Sequence, residues 1–424
     1  MTEKMPGVAV DPASTERFPR GGPRGSRGSP GADGGEGPVV DPERGSPRSA
    51  AKRAAFIDVA RGAAMVLVFV SHFGMMYLLP ARAFGAQRVA AYIGLPSSPI
   101  FVLFSGMMLG MLARERVGSF DSLRIKLVDR GLFLLLPADL IIRAAHHWVG
   151  LGLGPGVRWV FVTDAIGASM VVVPWIIPRT TRRARAAVAA LLLSASWLLF
   201  FFWEPSGRAG DLAKAVLVGE AGQKGAVFAL VPWVGGYIAA TIAGEALADW
   251  RRAGQPIVAR LLAMAGLCAA PSVVMHLVRR DFGPRVAEML SIGQKYPPSP
   301  AFFMAWASAG WVILAASAWF EEIGGIPVIF PSLALLGRSS LVVFVSQYVV
   351  YYVGFFLLRL PMSPLWPLYF AGSVLINLGV AWLWDTYAGN EVLTVGLTRL
   401  VASRRARLAP FGVTNAPTQT GTGP

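Results

Sequence analysis

The chain has 424 residues, of which 54% are hydrophobic and only 15% charged, with a mean hydropathy of +0.53. Soluble chains carry about 25% charged residues, so a water-soluble globular protein is excluded and lipid is the expected solvent. The formal charge of +15 does not point to nucleic acid, because the basic residues sit in short clusters between apolar runs and not on one soluble face.

Residues 1–52 are rich in Gly, Pro, Ser and Arg (GGPRGSRGSPGADGGEGP) and nearly free of aliphatic side chains. They are expected to form a disordered basic cytoplasmic tail, since such a segment buries too little apolar surface to offset its ordering entropy. It also lacks the apolar stretch of a signal peptide. A transmembrane domain is expected over 53–390 and a cytoplasmic C-terminal tail over 391–424.

The apolar runs have the length of membrane helices, roughly 20 residues each. They fall near 56–79, 91–113, 131–150, 159–178, 186–203, 226–248, 257–277, 301–320, 336–358 and 365–384. The fold class is therefore all-α: a polytopic integral membrane protein with about ten transmembrane helices. The third run is interrupted by Arg143, His146 and His147. With the N-terminus inside, the inner segments hold about 27 of the 39 Lys and Arg residues, which places both termini in the cytoplasm. The loop with Arg279, Arg280, Arg285 and Lys295 runs against this trend. The expected location is the cell's inner (plasma) membrane, as a multi-pass protein.

Polar residues inside spans mark functional candidates. In the first run, FIDVARGAAMVLVFVSHFG, Asp58 and Arg61 stand three apart and share a helix face. His72 follows Arg61 by eleven residues, three helical turns, so the two share nearly one face about 16 Å apart along the axis. A cation at the rim and an imidazole deeper in the span outline a path across the membrane. A snorkelling Arg and a packed His would give the same pattern.

The Arg61-(ten residues)-His72 arrangement resembles the motif of the acyltransferase-3 superfamily of membrane acyltransferases. Further stretches are similar to heparan-α-glucosaminide N-acetyltransferase and its relatives: IDVARG (57–62), FVLFSGMMLG (101–110), TDAIGASM (163–170), FALVPWVGGYIAATIAG (228–244), KYPPSPAFFMAWASAGW (295–311) and LGRSSLVVFVSQYVV (336–350). The match runs in order over most of 56–385. Gln347 stands where many of these proteins place a His after the LGRSSL-type stretch.

The resemblance implies transfer of an acetyl or other short acyl group from cytoplasmic acyl-CoA, a substrate and not a bound cofactor. The acceptor would be a hydroxyl or amine of a sugar, glycan or other envelope molecule. It assigns catalysis to His72 and Arg61 with Asp58, donor binding to Arg338, Lys126 and Arg130, and the acceptor side to Tyr296, Gln347 and His147. His72 would act as general base or as an acyl carrier; the first needs a single transfer step. Membrane lipid, acyl-CoA and the acceptor are the expected partners, with no nucleic acid.

Other residues have plainer readings. His146 and His147 point about 100° apart on a helix and lack a third ligand, so no metal is expected. KYPPSPAFF reads as a rigid, Pro-fixed helix entry with Lys295 facing water and Tyr296 at headgroup level, or as a wall of the acceptor site. Asp164 reads as a helix cap, Glu245 and Asp249 as rim ion pairs with nearby Arg, and Cys268 as a packing thiol. A transporter or flippase is the alternative function; the chain shows neither a repeat nor many intramembrane carboxylates. A sensor or scaffold rests on the tail alone.

Overall fold

The computed structural model describes residues 54–78, 80–116, 118, 120–148, 160–219, 228–354, 357, 365–389 and 393–401. The expected basic tail over 1–52 and most of the C-terminal tail lie outside these residues. The described residues, from Ala54 onward, form one compact unit. It is helical throughout: among the described residues the sole β feature is an isolated bridge between Lys295 and Pro298.

In chain order the helices are α1 (Ala55–Tyr77), α2 (Pro80–Gly94), α3 (Ser97–Glu115), α4 (Phe120–Phe133), α5 (Asp139–Trp148), α6 (Val162–Ile176), α7 (Arg182–Phe202) and α8 (Gly207–Leu217). There follow α9 (Leu230–Arg252), α10 (Ile257–Val278), α11 (Pro284–Met289), α12 (Pro300–Glu322), α13 (Ile329–Arg338), α14 (Ser340–Tyr348) and α15 (Trp366–Leu383). Among the described residues, 8 helices are long and apolar enough to cross a membrane. The count reaches 9 if α13 and the α14 stretch, bent by 83° at Ser339, form one broken span.

Two departures from the expected spans have local causes. The run at 131–150 is not one apolar helix. Pro137 lacks a backbone N–H, and the chain passes through a π-turn at Leu134–Ala138 before α5. The expected span from 336 begins instead with the separate helix α13, because the chain turns sharply within the LGRSSL stretch.

Close backbone approach holds the bundle together, as membrane helices need when lipid is as apolar as their side chains. Gly106 and Gly110 of α3 lie against the carbonyls of Tyr237 and Thr241 on α9, and Gly244 of α9 lies against that of Met107. Gly62 of α1 meets the Leu333 carbonyl on α13, while Gly337 meets that of Asp58. Gly131 and Gly167 face each other between α4 and α6. Five of the stretches that carried the family resemblance thus contribute glycines to these crossings. By contrast α10 turns Leu267 and Leu277, each 67% exposed, outward, as a lipid-facing helix does.

One end of the bundle is rich in ion pairs. Arg185, almost fully buried, bonds Glu245 at 2.6 Å and Thr241 at 3.2 Å. Arg182 reaches Glu245 at 2.7 Å and Asp249 at 2.5 Å, and Arg114 joins Asp249 at 2.8 Å. Glu245 and Asp249 are therefore ion-paired, through Arg114 of α3 and Arg182 and Arg185 of α7, which ties α3, α7 and α9 together. Removing one member of such a buried pair leaves an uncompensated charge, which costs about 3–5 kcal/mol.

Asp129 of α4 docks the last described segment. Its carboxylate accepts from the N–H groups of Val395 (2.8 Å) and Thr398 (2.9 Å) and from the Thr398 hydroxyl (2.8 Å). Burial pushes its carboxyl up, but these bonds more than offset that and hold it below the usual carboxylate range. The anchorage is thus complete above the ordinary carboxylate pKa, about 3.9, and is lost as pH falls through the lower folded value. Asp129→Asn should speed amide exchange and proteolysis at 393–401 at neutral pH without unfolding the bundle. Unchanged protection there would show that the carboxylate does not hold the segment.

Candidate functional site

The site begins with α1. Its interior face carries Asp58 and Arg61 near one end and His72 near the other. Asp58 is almost fully buried and lies 3.8 Å from the Arg61 guanidinium. Arg61 also donates to the Ser340 hydroxyl at 2.5 Å, at the first turn of α14. Seven residues on, two turns along the same face of α14, Gln347 meets His72: imidazole Nδ1 and Gln347 Oε1 are 2.7 Å apart. One helix therefore supports both the cation and the imidazole of its neighbour.

This arrangement fixes the imidazole's tautomer. The Gln347 amide donates to the Phe344 carbonyl at 3.1 Å, which directs its Oε1 towards His72. An amide oxygen only accepts, so Nδ1 of His72 carries the proton and donates it. Nε2 is then left with its lone pair, the state a general base requires. Gln347 is completely buried and lies behind His72, where it positions the ring.

His72 opens on a cavity of about 330 Å³. Tyr348 and Tyr352 form one wall, with ring centroids 4.7 and 6.0 Å from that of His72. His146 faces the same pair, 5.5 Å from Tyr348 and 4.5 Å from Tyr352, and donates through Nδ1 to the Ile142 carbonyl, 2.8 Å away. Tyr296 and Lys295 close another side. Among the described residues no Asp or Glu lines this space.

The loop before α12 is held by several bonds, which gives the cavity a firm edge. Trp197 donates to the Pro298 carbonyl at 3.1 Å, and Gln294 donates to that of Tyr296 at 2.8 Å. Ser299 donates to the Ser291 carbonyl at 2.6 Å and caps α12 by accepting from the Phe302 N–H at 2.8 Å. The wall reading of KYPPSPAFF fits this placement. Lys295 is half-buried, with its ammonium 5.2 Å from the Phe228 ring centroid and 5.3 Å from that of Tyr296.

Of the expected site residues, the structure brings His72, Gln347 and Tyr296 together. Asp58 and Arg61 sit at the far end of the same helix. His147 is exposed and does not reach the cavity; its neighbour His146 does. Among the expected donor-binding cations, Arg338 pairs with Asp385 at 3.0 Å, while Lys126 and Arg130 belong to α4, which packs chiefly on α6. Arg124 lies 4.1 Å over the Trp175 ring. Asp164 accepts from the Phe161 N–H at 2.8 Å, the capping role expected of it, from the third position of α6. Tyr348, Tyr352 and Ser340 were missed from sequence. The i,i+4 and i,i+7 spacings were available signals for a shared face. No three-residue cluster of metal-ligand type occurs among the described residues.

No protein-family model matches the chain, and no curated protein matches it significantly. What the described residues establish is a multi-pass helical membrane protein with a histidine-lined cavity.

Proposed function

We propose that this protein is an integral-membrane acyltransferase, moving an acetyl or other short acyl group from acyl-CoA to a hydroxyl or amine of a sugar or other envelope molecule. The observation that carries the reading is His72, whose tautomer is set by Gln347 and which opens on the cavity while sharing a helix face with Arg61. The arginine-rich end fits the cytoplasmic side of the inner membrane by the positive-inside rule. Donor phosphates would be met there by Arg61, Arg338, Lys126 and Arg130, since guanidinium and ammonium groups bind phosphate through charge-assisted bonds.

The acceptor would enter the cavity from the opposite side. His72 Nε2 takes the acceptor proton as its oxygen or nitrogen attacks the thioester carbonyl. The new C–O or C–N bond forms, the C–S bond breaks, and the imidazolium returns the proton to the departing thiolate. His146, Tyr348 and Tyr352 shape the space around the acceptor.

The test is donor consumption by purified protein in lipid discs supplied with labelled acetyl-CoA and a panel of amino sugars and membrane extract. Label should move from CoA to an acceptor without any sealed compartment. Absence of both donor binding and transfer in several lipids, together with gradient-dependent solute movement in sealed vesicles, would establish a transporter instead.

A further inference from the structure

The cavity's charge and its anchoring point to a chemical class for the acceptor. Among the described residues its lining contains one lysine and two histidines but no carboxylate. The Lys295 ammonium is held by the Phe228 and Tyr296 rings, and no carboxylate pairs with it among the described residues. Cation–π contacts leave the N–H groups of an ammonium available, because the attraction is to the ring face and not to a hydrogen-bond acceptor. At a membrane protein's rim a lysine normally extends towards water or headgroups; here the loop from Ser291 to Ser299, tied by four side-chain hydrogen bonds, keeps it at the cavity edge.

We infer that the cavity takes an acceptor bearing an anionic oxygen group, carboxylate or phosphate, which Lys295 binds while His72 faces the group to be modified. This deepens the acyltransferase reading, and rests on it for the role of His72, but the binding claim stands on the cavity itself. The volume is at the small end of the ligand-pocket range, about 300–1,000 Å³, so it suits one ring-sized end of a molecule. The aromatic walls offer apolar faces to such a ring, and Ser97 and Ser98 add hydroxyls. A free sugar acid or phosphate and an anionic lipid headgroup share the relevant chemistry.

Binding is measured without acyl donor, so that its outcome is independent of catalysis. The full chain in phosphatidylcholine discs is titrated with glucuronate, glucose 6-phosphate, glucose and glucosamine. A second arm compares retention of phosphatidylglycerol and phosphatidylcholine by native mass spectrometry. Wild type should prefer the anionic probe in at least one arm by about tenfold or more, the scale of one charge-assisted hydrogen bond. Lys295→Met should abolish that preference without changing binding of the neutral probes, and Lys295→Arg should keep it. Preference in the first arm identifies a soluble anion, and preference in the second alone a headgroup. Equal binding of neutral and anionic probes in both arms, or a preference that survives Lys295→Met, overturns the assignment. Anion binding without any acyl transfer would keep this inference and remove the proposed reaction.

Discussion

His72→Ala should lower acyl transfer by a factor on the order of 10²–10⁴, the usual contribution of a positioned general base, with little loss of fold. The side chain is partly exposed to the cavity, so truncating it enlarges an existing space and removes one hydrogen bond. Gln347→Leu tests the same mechanism from behind. It leaves His72 in place but deletes the oxygen that accepts from Nδ1 at 2.7 Å, freeing the ring to exchange tautomers. A smaller loss is expected, on the order of 10–100-fold, as for the partners that orient other functional imidazoles. The readout that separates positioning from packing is spectroscopic: nitrogen NMR of labelled histidine should show the Nδ1–H tautomer at His72 in wild type and a mixture in Gln347→Leu. Full transfer by His72→Ala would sink the base assignment, and a single unchanged tautomer in Gln347→Leu would sink the positioning one.

The reason Gln347 was hard to place from sequence is its distance along the chain from its partner, 275 residues. Periodicity within a helix puts Arg61 and His72 on one face, and the structure has them so. It cannot say which other helix comes alongside. Which of the adjacent histidines reaches the cavity is a matter of helix phase: His146 lines it and His147 is exposed. A π-turn adds residues to a helical turn, so the one at Leu134–Ala138 rotates the phase of everything in α5. Adjacent histidines about 100° apart then exchange inside for outside. Lys295 shows a third limit: hydropathy places a lysine near water but does not reveal the Phe228 and Tyr296 rings that the fold sets beside its ammonium.

Composition served better for the elements themselves. Apolar runs near 186–203, 257–277 and 301–320 coincide with α7, α10 and α12 to within a few residues. Their ends are visible because Arg, Pro and Glu flank them. The runs at 131–150 and from 336 diverge where Pro137 and the Gly337–Ser339 corner interrupt the helices. These interruptions place site residues: α5 carries His146 and α14 beyond the corner carries Phe344 and Tyr348, all lining the cavity, while α14 also carries Ser340 and Gln347, the partners of Arg61 and His72. The irregular parts of the backbone, hidden from a hydropathy scan, are those that build the site.

Gly110→Leu should prevent stable folding outright, because the α3–α9 crossing has no room for a side chain from either partner. A Cβ on Gly110 would lie 2.0 Å from the Thr241 carbonyl oxygen, and one on Gly244 would lie 2.0 Å from that of Met107. The obstacles are main-chain atoms, which cannot turn aside as a flexible side chain does. Overpacking costs about 1–3 kcal/mol when side chains can shift; here the helices themselves must separate, which also pulls Arg114 and Asp249 apart. Even Gly110→Ala should therefore lower thermal stability clearly, whereas Gly266→Ala should be near neutral, since its Cβ would meet nothing within 4 Å. The α1–α13 crossing adds a functional consequence. A Cβ on Gly337 would lie 1.7 Å from the Asp58 carbonyl oxygen, so Gly337→Ala must displace α13 from α1 beside the Arg61–Ser340 bond. It should weaken acyl transfer more than a variant of equal stability loss at Gly110. Thermal unfolding and transfer measured on the same disc preparations make that comparison. A Gly110→Leu protein that elutes and melts like wild type would show that α3 and α9 are not in backbone contact. Equal activity of Gly337→Ala and Gly110→Ala at matched stability would separate the glycine corner from the chemistry at Arg61.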